Sequence, residues 1–165
     1  MRSPETHVHP RFAEALRELG LVDLHPRIRR FPDATRTAAE AAAAIGCELS
    51  QICKSLIFAA DGMPVLVLMD GASRVDVERV REELGAAEVT RVKADVVRET
   101  TGYAIGGVPP FGHRTRTRVL ADRSLLEHDV VWAAAGNPHA VFPMAPKDLV
   151  THAEATVVDV RERAS

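Results

Sequence analysis

Aromatic residues are scarce in this chain: five Phe, one Trp and one Tyr among 165 residues. Any core must therefore be built from aliphatic side chains and alanine. Cysteine is scarcer still. Cys47 and Cys53 form no CxxC pair and sit beside no Cys/His ligand cluster, which excludes a disulfide scaffold and the common zinc modules. A basic excess is missing too: 21 Lys and Arg face 23 Asp and Glu, a net charge of -2 with neutral His. A protein that coats nucleic acid by bulk charge needs surplus cations; a small patch that grips a few phosphates stays open. No apolar run reaches the roughly 18 residues of a membrane helix. The segment from Met1 to His7 lacks the apolar stretch of a signal peptide. The expectation is a reduced, cytoplasmic protein with no membrane partner. No GxSxG, HExxH or paired-carboxylate motif is present.

What is present reads as one domain. A chain of this length buries roughly 70% of its unfolded surface and needs no staple. Residues 1–9 are expected to form a flexible N-terminal tail, and residues 10–165 a single domain. Pro10 suits a first helical position, and Phe12, Leu16 and Leu19 form one stripe that Gly20 can end. Arg27 to Phe31 reads as a short strand. Thr37 and Glu40 fit a capping box for an Ala-rich helix that Gly46 stops. Residues 54–60 and 64–69 read as strands of a hairpin turned by Asp61-Gly62. A helix is expected from Asp76 to Gly85, a shorter one after Asp95, and another from Pro146 to His152. Val119–Ala121, Val130–Ala134, His139–Phe142 and Val157–Val160 are the remaining strands. Several strand pairs lie too close together for crossover helices. The expected class is therefore α+β, with a mixed, largely antiparallel sheet.

Three segments carry candidate chemistry. On a strand, Lys54 shares a face with Leu56 and Phe58. It is either a lysine snorkelling at a strand end or a cation at a pocket mouth, where partial burial strengthens its attraction for an oxygen. The run Tyr103 to His113 holds Gly106, Gly107, Val108, Pro109, Pro110 and Gly112. That mixture forms either a wide turn or a stiff loop that aims backbone N–H groups at a developing oxyanion. It is no P-loop and no GxGxxG motif. In the third segment, Gly136-Asn137-Pro138 marks a turn between apolar strands, and His139 beside it is either structural or a general base.

Weaker signals surround these. Arg114, Arg116 and Arg118 alternate on an expected strand, which is either a solvated edge or a phosphate contact. Arg27, Arg29 and Arg30 invite the same two readings. His7 and His9 lack spaced partners, so no metal site is read there. Cys53 reads as a buried small hydrophobe rather than a nucleophile.

Taken together, Lys54-Ser55-Leu56, then Gly106 to His113, then Ala135-Gly136-Asn137-Pro138-His139-Ala140-Val141-Phe142 resemble the YbaK/prolyl-tRNA-synthetase-associated editing domains. Thr35 to Ala42 also resembles the start of a helix in that family, and the likeness spans roughly residues 10–155. The resemblance implies a freestanding deacylase that hydrolyses mischarged tRNA, usually tRNA(Pro), in trans without metal or cofactor. It implies a mixed sheet partly curled into a barrel, with flanking helices. It carries the family's lysine to Lys54, its GxxxP loop to Gly106 through Pro110, and its glycine turn to Gly136, Asn137 and His139. Lys54 and Gly106 become the expected catalytic positions. Gly107, Val108, Pro109, Pro110, Gly112, His113, Gly136, Asn137 and His139 become expected substrate-binding positions. Ile105, Val108, Phe111 and Ala133–Ala135 are candidates for setting pocket size. The expected partners are the acceptor end of tRNA(Pro) and prolyl-tRNA synthetase, and the expected state is a monomer. The competing classes are a non-catalytic tRNA- or synthetase-binding module and a small-molecule-binding or structural domain in which Lys54 only closes a core.

Overall fold

The computed structural model describes residues 8–35 and 37–163. Helix α1 runs Pro10–Glu18 and buries Phe12, Ala15 and Leu16. His9, assigned to a tail from sequence, caps α1 through its Nδ1, which accepts from the Arg11 amide at 3.2 Å; residues 1–7 lie outside the described residues. A tight helical turn then leads into β1, Arg29–Arg30. Helix α2 spans Ala38–Ile45. Thr37 Oγ1 takes the Glu40 amide at 3.1 Å, and Gly46 ends the helix at φ 85°, a left-handed position that favours glycine.

Strands β2 (Ile52–Ala60) and β3 (Met63–Asp70) form a hairpin. Its turn residues Asp61 and Gly62 have φ 49° and 81°, the type I′ geometry that matches strand twist. Helix α3 (Val77–Leu84) is capped by Asp76, whose Oδ1 accepts from the Glu78 and Arg79 amides. Next come β4 (Val89–Arg91), α4 (Ala94–Thr101), β5 (Arg118–Asp122), β6 (Val131–Ala134), β7 (Ala140–Met144), α5 (Pro146–Ala153) and β8 (Thr156–Val158).

The described strands form one open mixed sheet in the order β1-β7-β6-β2-β3-β5-β8, with β4 also on β2. Pairs β1/β7, β2/β3, β2/β4 and β6/β7 are antiparallel; β2/β6, β3/β5 and β5/β8 are parallel. Central β3 is buried on both faces, and Val67, Leu68 and Met69 are fully enclosed. Truncating such a leucine costs about 2–5 kcal/mol. One face of the sheet packs Cys53, Ile57, Leu66 and Leu68 against α1, α5 and the loop around Val108 and Phe111. The other packs Phe58, Val65, Val67 and Met69 beneath α3, with Ile52 beneath α2.

The expected strand over 114–118 forms only at Arg118. The amides of Arg114 and Thr115 instead donate to Thr101 O and Thr100 O at 2.8 and 3.0 Å, which clasps this segment to the end of α4. The three arginines therefore share no strand face.

One irregularity in the sheet positions the site. The pairing of β2 with β6 covers Ile52 and Cys53, and its pairing with β4 covers Phe58 to Ala60. Between them, residues 54–57 pair with β3 alone. The sheet is split along this edge.

Candidate functional site

A cavity of about 350 Å³ fills the split. Its floor is the open edge of β2. Side chains alternate along a strand, so Lys54 and Leu56 border it from the α2/α3 face, and Ser55 and Ile57 from the face of the 103–113 loop. Thr35, Thr37, Ala38, Ala41 and Trp132 wall it on one side; Arg91, Val92, Val97, Ile105, Gly106 and Val108 wall it on the other. Lys54 and Gly106 thus border one hollow from opposite faces of the sheet.

Lys54 is half-buried, and its Nζ donates to Ser73 O at 2.5 Å. Burial pulls its pKa down; the nearby Asp70 charge opposes that shift and Arg74 adds to it. Asp70 is 3% exposed. It accepts from the Ala72 amide at 2.9 Å and the Ser124 hydroxyl at 2.6 Å. Asp122 in turn accepts from the Ser124 amide at 3.0 Å and the Val160 amide at 2.8 Å. This buried network fixes the turn after β3, and that turn supplies the carbonyl that holds the ammonium.

The glycine loop begins with a turn in which the Gly107 amide donates to Ala104 O at 2.9 Å. Gly106 occupies the position of that turn that needs positive φ, and has φ 90°. Gly107 N–H is therefore spent, and Pro109 and Pro110 have none. Ile105, Gly106 and Val108 line the cavity, and their amides have no partner among the described residues. Gly107 lies behind the wall, where a Cβ would meet Asn137 Cα at 2.6 Å. The 136–138 turn therefore buttresses the loop. That turn is itself held by Thr35, whose amide and hydroxyl donate to Pro138 O at 2.8 and 3.0 Å.

The remaining expected substrate-binding positions, Pro109, Pro110, Gly112, His113, Gly136, Asn137 and His139, do not line the cavity. Pro110, Gly112 and His113 border a second, smaller hollow of about 180 Å³ with His152 and Glu154. His113 Nε2–H donates to Pro109 O at 2.6 Å; burial holds its pKa down, against the pull of that bond. His139 is exposed, its amide donates to Asn137 Oδ1 at 2.8 Å, and its ring lies 3.3 Å from Phe31 O. Among the size candidates, Ile105, Val108 and Ala134 line the cavity, while Phe111 borders the second hollow and Ala133 and Ala135 are packed in the core. Ala133 and Ala135 face away because strand alternation presents Ala134 to the opposite side. Burial pushes the Cys53 thiol up to about 12, so it carries no thiolate at neutral pH.

Sequence reasoning missed Thr35, Arg91, Val97 and Trp132. Thr35 opens a segment read only for its helix start, and the other three belong to no motif: Arg91 and Trp132 reach the cavity through strand pairing and Val97 from α4. Arg91 also stands over the Phe58 ring at 5.8 Å.

The family model for the aminoacyl-tRNA editing domain matches residues 32–152. The chain belongs to this editing-domain family. A Bacillus subtilis protein called YwhH, described as uncharacterized, is 32% identical over 123 residues, 74% of this chain and 78% of that one. The proline–tRNA ligase of Geobacter sp. strain M21 is 33% identical over 102 residues, 61% of this chain but 18% of the ligase. This chain therefore corresponds to a small part of such ligases. Among solved structures, a protein proposed to be a trans-editing enzyme for prolyl-tRNA synthetase superposes with a TM-score of 0.87 at 39% identity, over 99% of this chain and 100% of that one. The hypothetical protein APE2540 gives 0.83 at 33% identity, over 92% and 99%. In this editing domain, the matched region contains the whole β2 edge, the glycine loop and the 136–138 turn.

Proposed function

We propose that this editing domain is a trans-acting aminoacyl-tRNA deacylase that hydrolyses the ester of a small amino acid mischarged on tRNA, with tRNA(Pro) as its substrate RNA. The observation that carries the reading is the shared hollow between Lys54 and the Gly106–Val108 loop. At about 350 Å³ it stands at the small end of ligand pockets, which run about 300–1,000 Å³. It suits a terminal ribose bearing a small acyl group, not a duplex. The resemblance to segments of proline–tRNA ligases supports tRNA(Pro).

In this mechanism Lys54 holds a phosphate or ribose oxygen of the acceptor end. Its ammonium is already aimed by Ser73 O, so little ordering remains to be done on binding. The amides of Gly106 and Val108 face the ester carbonyl and take the oxyanion as it forms; one such donor is worth about 10²–10³ in rate. Water is the nucleophile. No imidazole or carboxylate side chain lines the cavity among the described residues, so the free ribose hydroxyl next to the ester relays the proton. That assigns the 2′-OH of RNA a chemical role as well as a recognition role.

The test is a panel of mischarged tRNAs incubated with the protein and with Lys54→Ala. Release of one or more small amino acids from tRNA(Pro), lost in the variant, is the expected result. Tight binding of the panel without turnover favours a non-catalytic tRNA-binding module of the same fold.

A further inference from the structure

Every aminoacyl ester brings an α-amino group into the pocket, and an ammonium moved out of water needs acceptors. The cavity wall offers few. Lys54 and Arg91 are cations, and the Trp132 indole only donates. The hydroxyls of Thr35 and Thr37 keep spare lone pairs but are anchored by other bonds, Thr35 Oγ1 donating to Pro138 O and Thr37 Oγ1 accepting from the Glu40 amide. Ser55 differs: its Oγ is buried with no hydrogen-bond partner among the described residues, and it lines the cavity.

The backbone beside it is open as well. The two-residue type I′ turn makes Ala60 and Met63 a hydrogen-bonded pair, and alternation extends that pattern to Lys54, Leu56 and Phe58. The N–H and C=O groups of Ser55 and Ile57 therefore face away from β3. Asp61 N, two positions beyond Ala59, donates to Glu88 O at 2.9 Å on that side, which fixes the parity. On this side β6 stops at Cys53 and the Phe58↔Arg91 pair sets the Ile57 carbonyl against Val92 N–H, so neither strand reaches the N–H and C=O of Ser55. The split thus leaves one backbone carbonyl open, that of Ser55, with the unpartnered hydroxyl of the same residue beside it.

We propose that Ser55, through its carbonyl on the open β2 edge and its unpartnered hydroxyl, is the subsite that binds the α-ammonium of the esterified amino acid. This rests on the deacylase reading for its substrate and adds a specificity element to it. Alternation places Ser55 across the strand from Lys54, so the two positive groups stay apart. The ester then straddles the split, with its ribose and phosphate oxygens toward Lys54 and its amino group toward Ser55.

The test uses two readouts. Deacylation of the mischarged tRNA is measured with a free and with an N-acetylated α-amino group, for the protein, Ser55→Ala and Ser55→Thr. Binding is measured with alanine joined through an amide to 3′-amino-3′-deoxyadenosine, free or N-acetylated. Loss of a hydrogen bond to a charged group predicts about a 10- to 100-fold fall in kcat/KM and affinity for the free-amino forms in Ser55→Ala. The acetylated forms are poor throughout and unaffected by the substitution, and Ser55→Thr restores the hydroxyl's contribution. The melting temperature of Ser55→Ala is equal or higher, because an unpartnered buried hydroxyl has been removed. Turnover that is independent of Ser55, or equal losses on free and acetylated substrates, overturns the subsite while leaving the deacylase reading intact. Ser55-dependent binding of the free-amino analogue without turnover supports the subsite and overturns the deacylase reading. A lowered melting temperature in Ser55→Ala gives the hydroxyl a structural partner and overturns the proposal.

Discussion

Gly107 offers a sharp perturbation because its neighbours cannot yield. A Cβ placed there lies 2.6 Å from Asn137 Cα, 2.9 Å from Asn137 N and 3.1 Å from Asn137 C. All three are backbone atoms, and carbon pairs are comfortable at about 3.5–4.0 Å. Gly107→Ala must therefore push the loop and the 136–138 turn apart by about 1 Å. The turn resists, since Pro138 O is held twice by Thr35 and Asn137 Oδ1 by the His139 amide. Overpacking of this kind costs about 1–3 kcal/mol. For a domain of this size that lowers the melting temperature by about 2–12 °C. The same shift moves the Gly106 and Val108 amides, and a displacement near 1 Å in a positioned donor costs on the order of 10²-fold in rate. Gly106→Ala is the matched control. Its Cβ meets only Pro138 Cβ at 3.6 Å, so its penalty is the strain of φ 90°, about 1–2 kcal/mol. Thermal unfolding and deacylation of mischarged tRNA are measured on both variants. A Gly107→Ala protein with unchanged melting temperature and kcat/KM refutes the buttress.

Lys54→Ala should reduce deacylation at least 100-fold, on the order of losing one preorganised charge-stabilising contact, while circular dichroism and cooperative unfolding persist. Burial lowers the Lys54 pKa, so binding of the adenosine analogue should weaken on the alkaline side at a pH below the ordinary lysine range. Asp70 raises that pKa, so Asp70→Asn should move the limb to still lower pH; an unmoved limb dissociates the ammonium from binding. His113 has its pKa lowered in the fold, so the unfolded chain binds more protons in the window just below its ordinary value of about 6.5. Stability should therefore drop as pH falls through that value, and urea midpoints of His113→Gln should show a smaller drop.

Local chemistry made much of this fold legible. Thr37, Asp76 and the glycines at 46 and 85 mark helix ends because their roles are local: a side-chain oxygen for an orphan amide, or a residue that tolerates positive φ. Asp61-Gly62 announced the hairpin for the same reason. Strand β4 gave no such signal. Thr90 and Arg91 are exposed and only Val89 is buried, so no alternation survives over three residues. The arginines at 114–118 gave a false one: alternation was present, but carbonyls at the end of α4 claimed the amides that a strand would have used. The site divides along the same line. The glycine loop stands out by composition and Lys54 only through the family resemblance, whereas the split that joins them depends on where β4 and β6 leave β2. Those are non-local pairings, decided by packing across the whole sheet. Ser55 follows from this directly. In the sequence it is one small polar residue in a strand, fit for any edge. It acquires meaning only because both neighbouring strands stop short of it, leaving its carbonyl on the open edge of a cavity and its buried hydroxyl without a partner among the described residues.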